Sequence, residues 1–279
     1  MAQYKIQVLE IGYDTKFPAG IAFDFEHMQN EAVYSPFAMT LIQGEGHTIL
    51  FDCGIDPHDP FSKEKIRMEG DQNCHDTGEV LLSIGINPAD IDTVILSHCH
   101  WDHIGGMKFL PNATFYVQKR ELTCWEKAMA DSDFPHTHKR IMNPENLLEL
   151  RRYAGQGRVM YLNGDADELF PGISVKAAAG HSSSQSMLFV TSGGMRFALI
   201  GDVAMRPESF VGTESTPGFL PNLKFSVAPI WDITHSYRSV LDWVNGDISH
   251  IIPTHDGTRR DHWPTHKSEL GLDVTTVCK

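Results

Sequence analysis

Ten consecutive residues, Ser97-His98-Cys99-His100-Trp101-Asp102-His103-Ile104-Gly105-Gly106, constrain this chain more than any other stretch. They set three histidines and a carboxylate close together, directly after the apolar segment Thr93-Val94-Ile95-Leu96. A strand ending at Ser97 releases its backbone into a loop where side chains two positions apart project the same way, so His98 and His100 are placed to chelate one ion. Asp102 and His103 then face a neighbouring position. A lone histidine is commonly a surface or hydrogen-bonded core residue, but this spacing reads as a metal site. The fold must therefore end a buried strand at Ser97 and bring further ligands to that edge.

Three other segments offer them. His181 follows Ala179-Gly180 after the strand-like Ile173-Ser174-Val175-Lys176-Ala177. Asp202 ends the apolar run Phe197-Ala198-Leu199-Ile200-Gly201, and His255 stands in Ile251-Ile252-Pro253-Thr254-His255-Asp256. Taken singly, each reads as turn chemistry after a strand. Joined to the first cluster, they describe ligand groups gathered on loops beyond strand ends, at one edge of a layered α/β core.

The pattern resembles the metallo-β-lactamase fold superfamily. Its His-x-His-x-Asp-His motif stands here as His98, His100, Asp102 and His103, its later histidine as His181, its bridging aspartate as Asp202 and its last histidine as His255. Phe51-Asp52-Cys53-Gly54 is similar to the family's strand-ending Asp-x-Gly element, which puts Asp52 behind the ligands. The resemblance runs from about Tyr4 to His255 and implies an α/β fold, a four-layer αβ/βα sandwich. It also implies that His98, His100 and His181 hold one metal and Asp102, His103 and His255 another, with Asp202 and a water-derived hydroxide bridging them. Two divalent cations against Asp102, Asp202 and hydroxide leave about one net positive charge to polarise a carbonyl. Asp102 is then the proton shuttle. Such nitrogen and oxygen donors suit zinc best, and manganese, iron or cobalt are compatible with them.

Composition narrows the partners. A chain of 279 residues with 41% hydrophobic content can bury one large core, and no low-complexity linker interrupts it, so a single domain over residues 1–279 is expected. The formal charge of −13 disfavours nucleic acid, whose binding depends on Lys and Arg neutralising phosphates. No apolar stretch approaches the roughly 20 residues that span a bilayer. Met1 to Leu9 alternates polar and apolar residues like a strand, without a signal-peptide core, and the cysteines Cys53, Cys74, Cys99, Cys124 and Cys278 are scattered and odd in number. Free thiols and a cytoplasmic location follow. Cys99, alternating with His98 and His100, is expected to pack away from the metals. The expected partner is a small-molecule substrate, and a homodimer is compatible with the sequence.

Periodicity predicts a hairpin of Phe37–Ile42 and Thr48–Phe51 about Gly44-Glu45-Gly46, and a short helix from Thr77 ending at Gly85. Further helices are predicted at Glu121–Met129, Pro144–Tyr153 and Ile233–Val244, with strands at Ser186–Val190 and Met195–Leu199 about Gly193-Gly194. Residues 56–73 and 205–229 read as long, turn-rich loops shaping a binding site. Trp101 and Met205 are candidate pocket walls.

The residues flanking the motif, Ile86 to Asp92 and Gly105 to Ala113, together with Gln118-Lys119-Arg120-Glu121-Leu122, resemble the quorum-quenching N-acyl homoserine lactonase branch. That likeness implies hydrolysis of a lactone or related cyclic ester. Two departures stand out. Met205 occupies the place of a tyrosine whose hydroxyl serves the substrate in that branch, and Gly180-His181-Ser182-Ser183-Ser184 replaces the branch's Gly-His-x-Pro-Gly-His. A linear ester, amide, thioester or organophosphate fits the same centre. An RNA phosphodiesterase would need a basic groove, and a mononuclear-iron oxygenase would use fewer of these ligands.

Overall fold

Along the first strand, β1 (Tyr4–Pro18), Tyr4, Ile6 and Val8 turn into one apolar cluster while Leu9 and Ile11 turn into another. This is the two-residue period of a strand buried on both faces. The computed structural model describes residues 1–22, 31–212, 214, 216–221 and 226–279. After β1 come α1 (Ala19–Ala22), β2 (Ala32–Gly44), β3 (His47–Phe51), α2 (Pro60–Glu69), α3 (Thr77–Ser83), β4 (Thr93–Ile95) and the single turn α4 (Trp101–Ile104). Next are β5 (Thr114–Gln118), α5 (Lys119–Ala130), α6 (His136–Lys139), α7 (Pro144–Gly155), β6 (Val159–Leu162), β7 (Ala166–Phe170) and β8 (Ile173–Ala178). The chain continues through β9 (Gln185–Ser192), β10 (Met195–Gly201), α8 (Ile230–Trp243), β11 (Ile251–Pro253), α9 (Arg259–His262), β12 (Thr265–Lys267) and β13 (Asp273–Cys278).

The strands form an eight-stranded sheet in the order β12-β13-β1-β2-β3-β4-β5-β6 and a five-stranded sheet in the order β11-β10-β9-β8-β7. Ile49, Phe51 and Ile95 from the first sheet meet Leu188, Val190, Phe197 and Leu199 from the second, so the sheets pack face to face. The alternate residues point outward. Leu50, Val94 and Phe115 pack on Val80 and Leu81 of α3, Leu122 of α5 and Leu150 of α7, while Met187, Phe189, Ala198 and Ile200 pack on Ile233, Tyr237 and Val240 of α8. Helices thus cover both outer faces, the αβ/βα sandwich the motif pattern implied. Each such large apolar side chain contributes about 1.5–3 kcal/mol on burial.

The predicted hairpin is present with Gly44 opposite His47. One expectation needs correction: the stretch 56–73 is not all loop, because α2 lies within it. Asp59 caps this helix, accepting from Phe61 N and Ser62 N, Pro60 stands at its first turn and Gly70 closes it in the left-handed region. The caps were legible as Asp-Pro and Gly. The apolar stripe was not, since only Phe61 and Ile66 lean on the core and Ser62 is the sole fully buried residue. In the stretch 205–229, Pro207–Phe210 forms a 3-10 turn whose Phe210 stacks on Tyr237, while residues 213, 215 and 222–225 lie outside the described residues.

What positions the site is strand polarity. β3, β4 and β10 end at Phe51, Ile95 and Gly201, and β8 and β11 end at Ala178 and Pro253. The segments carrying Asp52, His98 to His103, Asp202, His181 and His255 leave from these C-terminal ends, the usual place for a site in an α/β fold.

Candidate metal centre

His98, His100 and His103 are buried at 0%, 4% and 0% exposure, in a segment that leaves β4 and turns at once into α4. His98 and His100 lie on the extended part, while Asp102 and His103 lie within the helical turn. Cys99 points the other way, into the core beneath α5. This close approach of segments depends on glycine. A Cβ on Gly106 would stand 1.9 Å from the Cys53 carbonyl oxygen and 1.9 Å from Thr77 Oγ1. Gly201, at φ 55°, brings the end of β10 against Ser97.

Each of three imidazoles has one nitrogen held from behind. Ser97 Oγ lies 2.8 Å from His98 Nδ1, Asp52 Oδ2 lies 2.8 Å from His103 Nδ1, and the Pro36 carbonyl lies 2.8 Å from His255 Nδ1. Such partners choose the tautomer and leave the other nitrogen free to face inward. Asp52 is itself fastened, accepting from Ser97 N at 2.7 Å and Ser97 Oγ at 2.8 Å, on a backbone at φ 61°. A non-glycine residue in that region persists only where its surroundings hold it.

The free nitrogens converge. His98 Nε2 and His181 Nε2 lie 2.8 and 2.9 Å from the same atom, His100 Nδ1. His103 Nε2 and His255 Nε2 lie 3.4 and 3.5 Å from Asp102 Oδ2. Asp202 stands between the two groups, with Oδ2 3.4 Å from His181 Nε2 and 3.2 Å from His255 Nε2, and Oδ1 3.5 Å from His103 Nε2. His103 Nε2 and Asp202 Oδ1 are buried and have no hydrogen-bond partner. Buried polar atoms are rarely left so, and a cation accepting these lone pairs would satisfy them. Imidazoles and carboxylates without thiolate are a zinc-compatible donor set, and ligand atoms lie within 4.8 Å of one another in three overlapping groups: His98, His100 and His181; Asp102, His103 and His255; and, between them, His98, His103 and Asp202.

The two outer groups differ electrically. Burial, joined by repulsion from neighbouring imidazoles, pushes His98, His100 and His181 below the usual histidine range. Burial acts the same way on His103 and His255, but there Asp202 and Asp102, with Asp52 at His103, outweigh it and hold both above that range. Against their own burial, Asp102 and Asp202 are held below the usual carboxylate range by His103 and His255. Entry of cations would therefore displace protons chiefly from the acid-rich group.

Outside the ligand groups lies a cavity of about 460 Å³. Phe17, Phe37, Trp101, Ile141, Met205 and Ile233 give it apolar walls, and Lys65, Glu69 and Asp71 charge its rim from α2 and just beyond. Met205 packs with Phe17 and Val33 on Ala19, and Lys65 Nζ lies over the Trp101 ring at 5.8 Å. A separate trio, His58, Asp76 and Glu79, has ligand atoms within 4.8 Å of one another, but Asp76 and Glu79 are engaged in the capping box of α3.

Sequence reasoning missed Glu121. This buried carboxylate of α5 touches two of the three histidine-bearing segments, those of His98 and His181, and its signal was a charge on the buried stripe that also carries Leu122, Trp125 and Ala128. The stretch 56–73 does line the cavity, through Lys65, Glu69 and Asp71, but its helix α2 was missed for want of an apolar pattern.

The family model for the metallo-beta-lactamase superfamily matches residues 38–264. The chain belongs to the metallo-β-lactamase superfamily. Among curated relatives of this superfamily member, the N-acyl homoserine lactonase AttM of Azorhizobium caulinodans is 26% identical over 198 residues, covering 68% of this chain and 66% of the relative. The N-acyl homoserine lactonase AiiA of Bacillus thuringiensis subsp. kurstaki is 27% identical over 151 residues, covering 53% of this chain and 52% of the relative. The chain thus matches just under two thirds of one relative's length and about half of the other's. Among solved structures, AidC, a dizinc quorum-quenching lactonase in complex with a product, superposes with a TM-score of 0.62 at 18% identity, covering 100% of this chain and 98% of that one. The superfamily binds divalent metals, and these relatives are hydrolytic enzymes.

Proposed function

We propose that this protein is a two-metal hydrolase, a single domain over residues 1–279, that opens a lactone or related cyclic ester. The observation carrying this reading is Asp202, whose carboxylate lies within 3.5 Å of ring nitrogens from both ligand groups. In this reading His98, His100 and His181 hold one ion, Asp102, His103 and His255 hold the other, and Asp202 serves both. Zinc is the first choice, on the donor set and the dizinc relative. The resemblance to N-acyl homoserine lactonases supports the substrate class. The expected location is cytoplasmic, a reading supported by five free cysteines. No helix among the described residues is long and apolar enough to cross a membrane.

When bound, the two cations supply Lewis acidity, which lowers the pKa of water toward about 7 and polarises the ester carbonyl. The chain's own residues do the rest. Trp101, Phe37 and Met205 wall the cavity on its apolar side, orient the substrate and keep bulk water out. In the overall reaction a bond forms from water oxygen to the carbonyl carbon, the ring C–O bond breaks and the leaving oxygen takes a proton. In this reading Asp102, a cavity-lining carboxylate beside His103 and His255, carries that proton. Asp52 holds His103 in register throughout.

Elemental analysis of purified protein, with a pH-stat assay over lactones, linear esters and phosphotriesters, tests the proposal. Two metals per chain with acid release from lactones is expected. One iron per chain with oxygen consumption overturns the two-metal reading. Two metals with turnover confined to linear esters or phosphotriesters overturns the substrate class, a substitution that Met205, lacking a hydroxyl, makes worth including in the panel.

A further inference from the structure

Glu121 is fully buried in the first turn of α5, and its four recorded hydrogen bonds come from neutral donors. Oε1 accepts from Cys99 N at 3.2 Å and from Trp125 Nε1 at 2.8 Å. Oε2 accepts from Ser183 Oγ at 2.8 Å and from Ser184 N at 3.2 Å. Each oxygen thus belongs to a different segment. Cys99 N lies between His98 and His100, and Ser183 and Ser184 follow His181. The two segments leave β4 and β8, which belong to different sheets, so strand pairing does not set their separation; a backbone hydrogen bond from Ser186 N to Ser97 O at 2.6 Å joins their roots, and Glu121 joins them farther out. A carboxylate is costly to bury without a cationic partner, and a neutral apolar residue would pack this helix face more cheaply.

We infer that Glu121 is a positioning residue that holds the backbones on either side of the three-histidine group in register, so that His98, His100 and His181 converge before any cation arrives. Trp125 extends the clamp. Its indole donates to Oε1, and its ring meets His100 edge-on at a centroid distance of 5.3 Å. The device works through geometry, because the carboxylate meets main-chain, hydroxyl and indole donors and its recorded hydrogen bonds include no ligand nitrogen. A glutamine cannot replace it. With its oxygen toward Cys99 N and Trp125, its amide group faces the N–H of Ser184, donor against donor, and turning it over moves the conflict to Cys99.

This inference rests on the two-metal reading, and its test separates the two. Zinc is titrated into metal-free wild type and Glu121→Gln by calorimetry with a competing chelator, and the melting temperature of each metal-free protein is recorded. Wild type is expected to bind two ions. In Glu121→Gln one binding step is expected to weaken by about 10–100-fold, the range for partners that orient metal ligands, while the other changes little. Ser183→Ala, which removes one contact from the β8 side alone, shifts the same step by a smaller factor and keeps the test open if the glutamine variant does not fold. A lowered melting temperature with both affinities unchanged, or equal weakening of both steps, overturns the positioning role. Wild type that binds no zinc overturns the metal centre itself.

Discussion

The floor of the cavity and its rim are built in opposite ways. The floor consists of strand-end segments whose polar groups are buried and mutually fixed: Asp52 on His103, Ser97 on His98, the Pro36 carbonyl on His255. The rim, from α2 to Asp71 and across to Met205, carries half-buried charged groups with few fixed contacts: Lys65 pairs with Glu69, and Asp71 Oδ2 has no hydrogen-bond partner. A buried group without its partner loses the full value of its solvation, whereas a surface ion pair contributes about 0–1 kcal/mol. Substitutions in the floor should therefore disturb metal binding and stability, and substitutions in the rim should alter substrate preference and pH response.

The largest contrast is expected at Asp202. Asp202→Asn removes the charge shared by both ligand groups, and metal content should fall to one ion per chain or fewer, with turnover down about a thousandfold, as loss of several kcal/mol of charge stabilisation requires. Elemental analysis beside steady-state kinetics measures both, and full metal content with wild-type turnover would dissolve the distinction between floor and rim. Gly106→Ala comes next. Its methyl meets a backbone carbonyl that cannot move aside, and unfolding in denaturant should show a loss of about 3 kcal/mol.

Effects at the rim should be smaller and of another kind. Burial, with help from Glu69, Asp14 and Asp102, pushes Asp71 from 3.8 up to about 7. In the metal-free protein the folded state holds a proton that the unfolded chain releases near pH 4, so the stability linked to this group is present below pH 4 and is lost as pH rises through 7. Asp71→Asn should match wild type at pH 4 and exceed it by about 1 kcal/mol at pH 8, a figure reduced for solvent screening of a partly exposed carboxyl. Melting curves at the two pH values decide it, and a variant less stable at pH 8 contradicts the assignment. Met205→Ala should change stability by no more than about 0.5 kcal/mol and leave metal content intact, while shifting the relative kcat/KM of short and long substrates by roughly tenfold.

The same division explains what could be read before folding. His98, His100, Asp102, His103, His181, Asp202 and His255 were visible because each follows a strand whose apolar run announces it, and motif spacing distinguishes such residues from ordinary turn chemistry. Glu121 was hidden, since a glutamate in the first turn of a helix ordinarily faces water and favours the helix dipole. The helix α2 was hidden too, because it buries too little to leave a periodic stripe.

Local order thus carried the two-residue alternation that gives each strand two buried faces, the ends of those strands and the identity of the donors beyond them, all properties of residues near one another in the chain. The stacking of the sheets decided what no local rule could. His181 meets His100 across 81 positions and His255 reaches the Pro36 carbonyl across 219, so their convergence, the tautomers it selects and the place of Glu121 between the two loops depend on long-range packing. The physical reason is range: period and propensity act over a few residues, whereas a metal-binding geometry good to tenths of an ångström is set by segments that meet only once the core has closed.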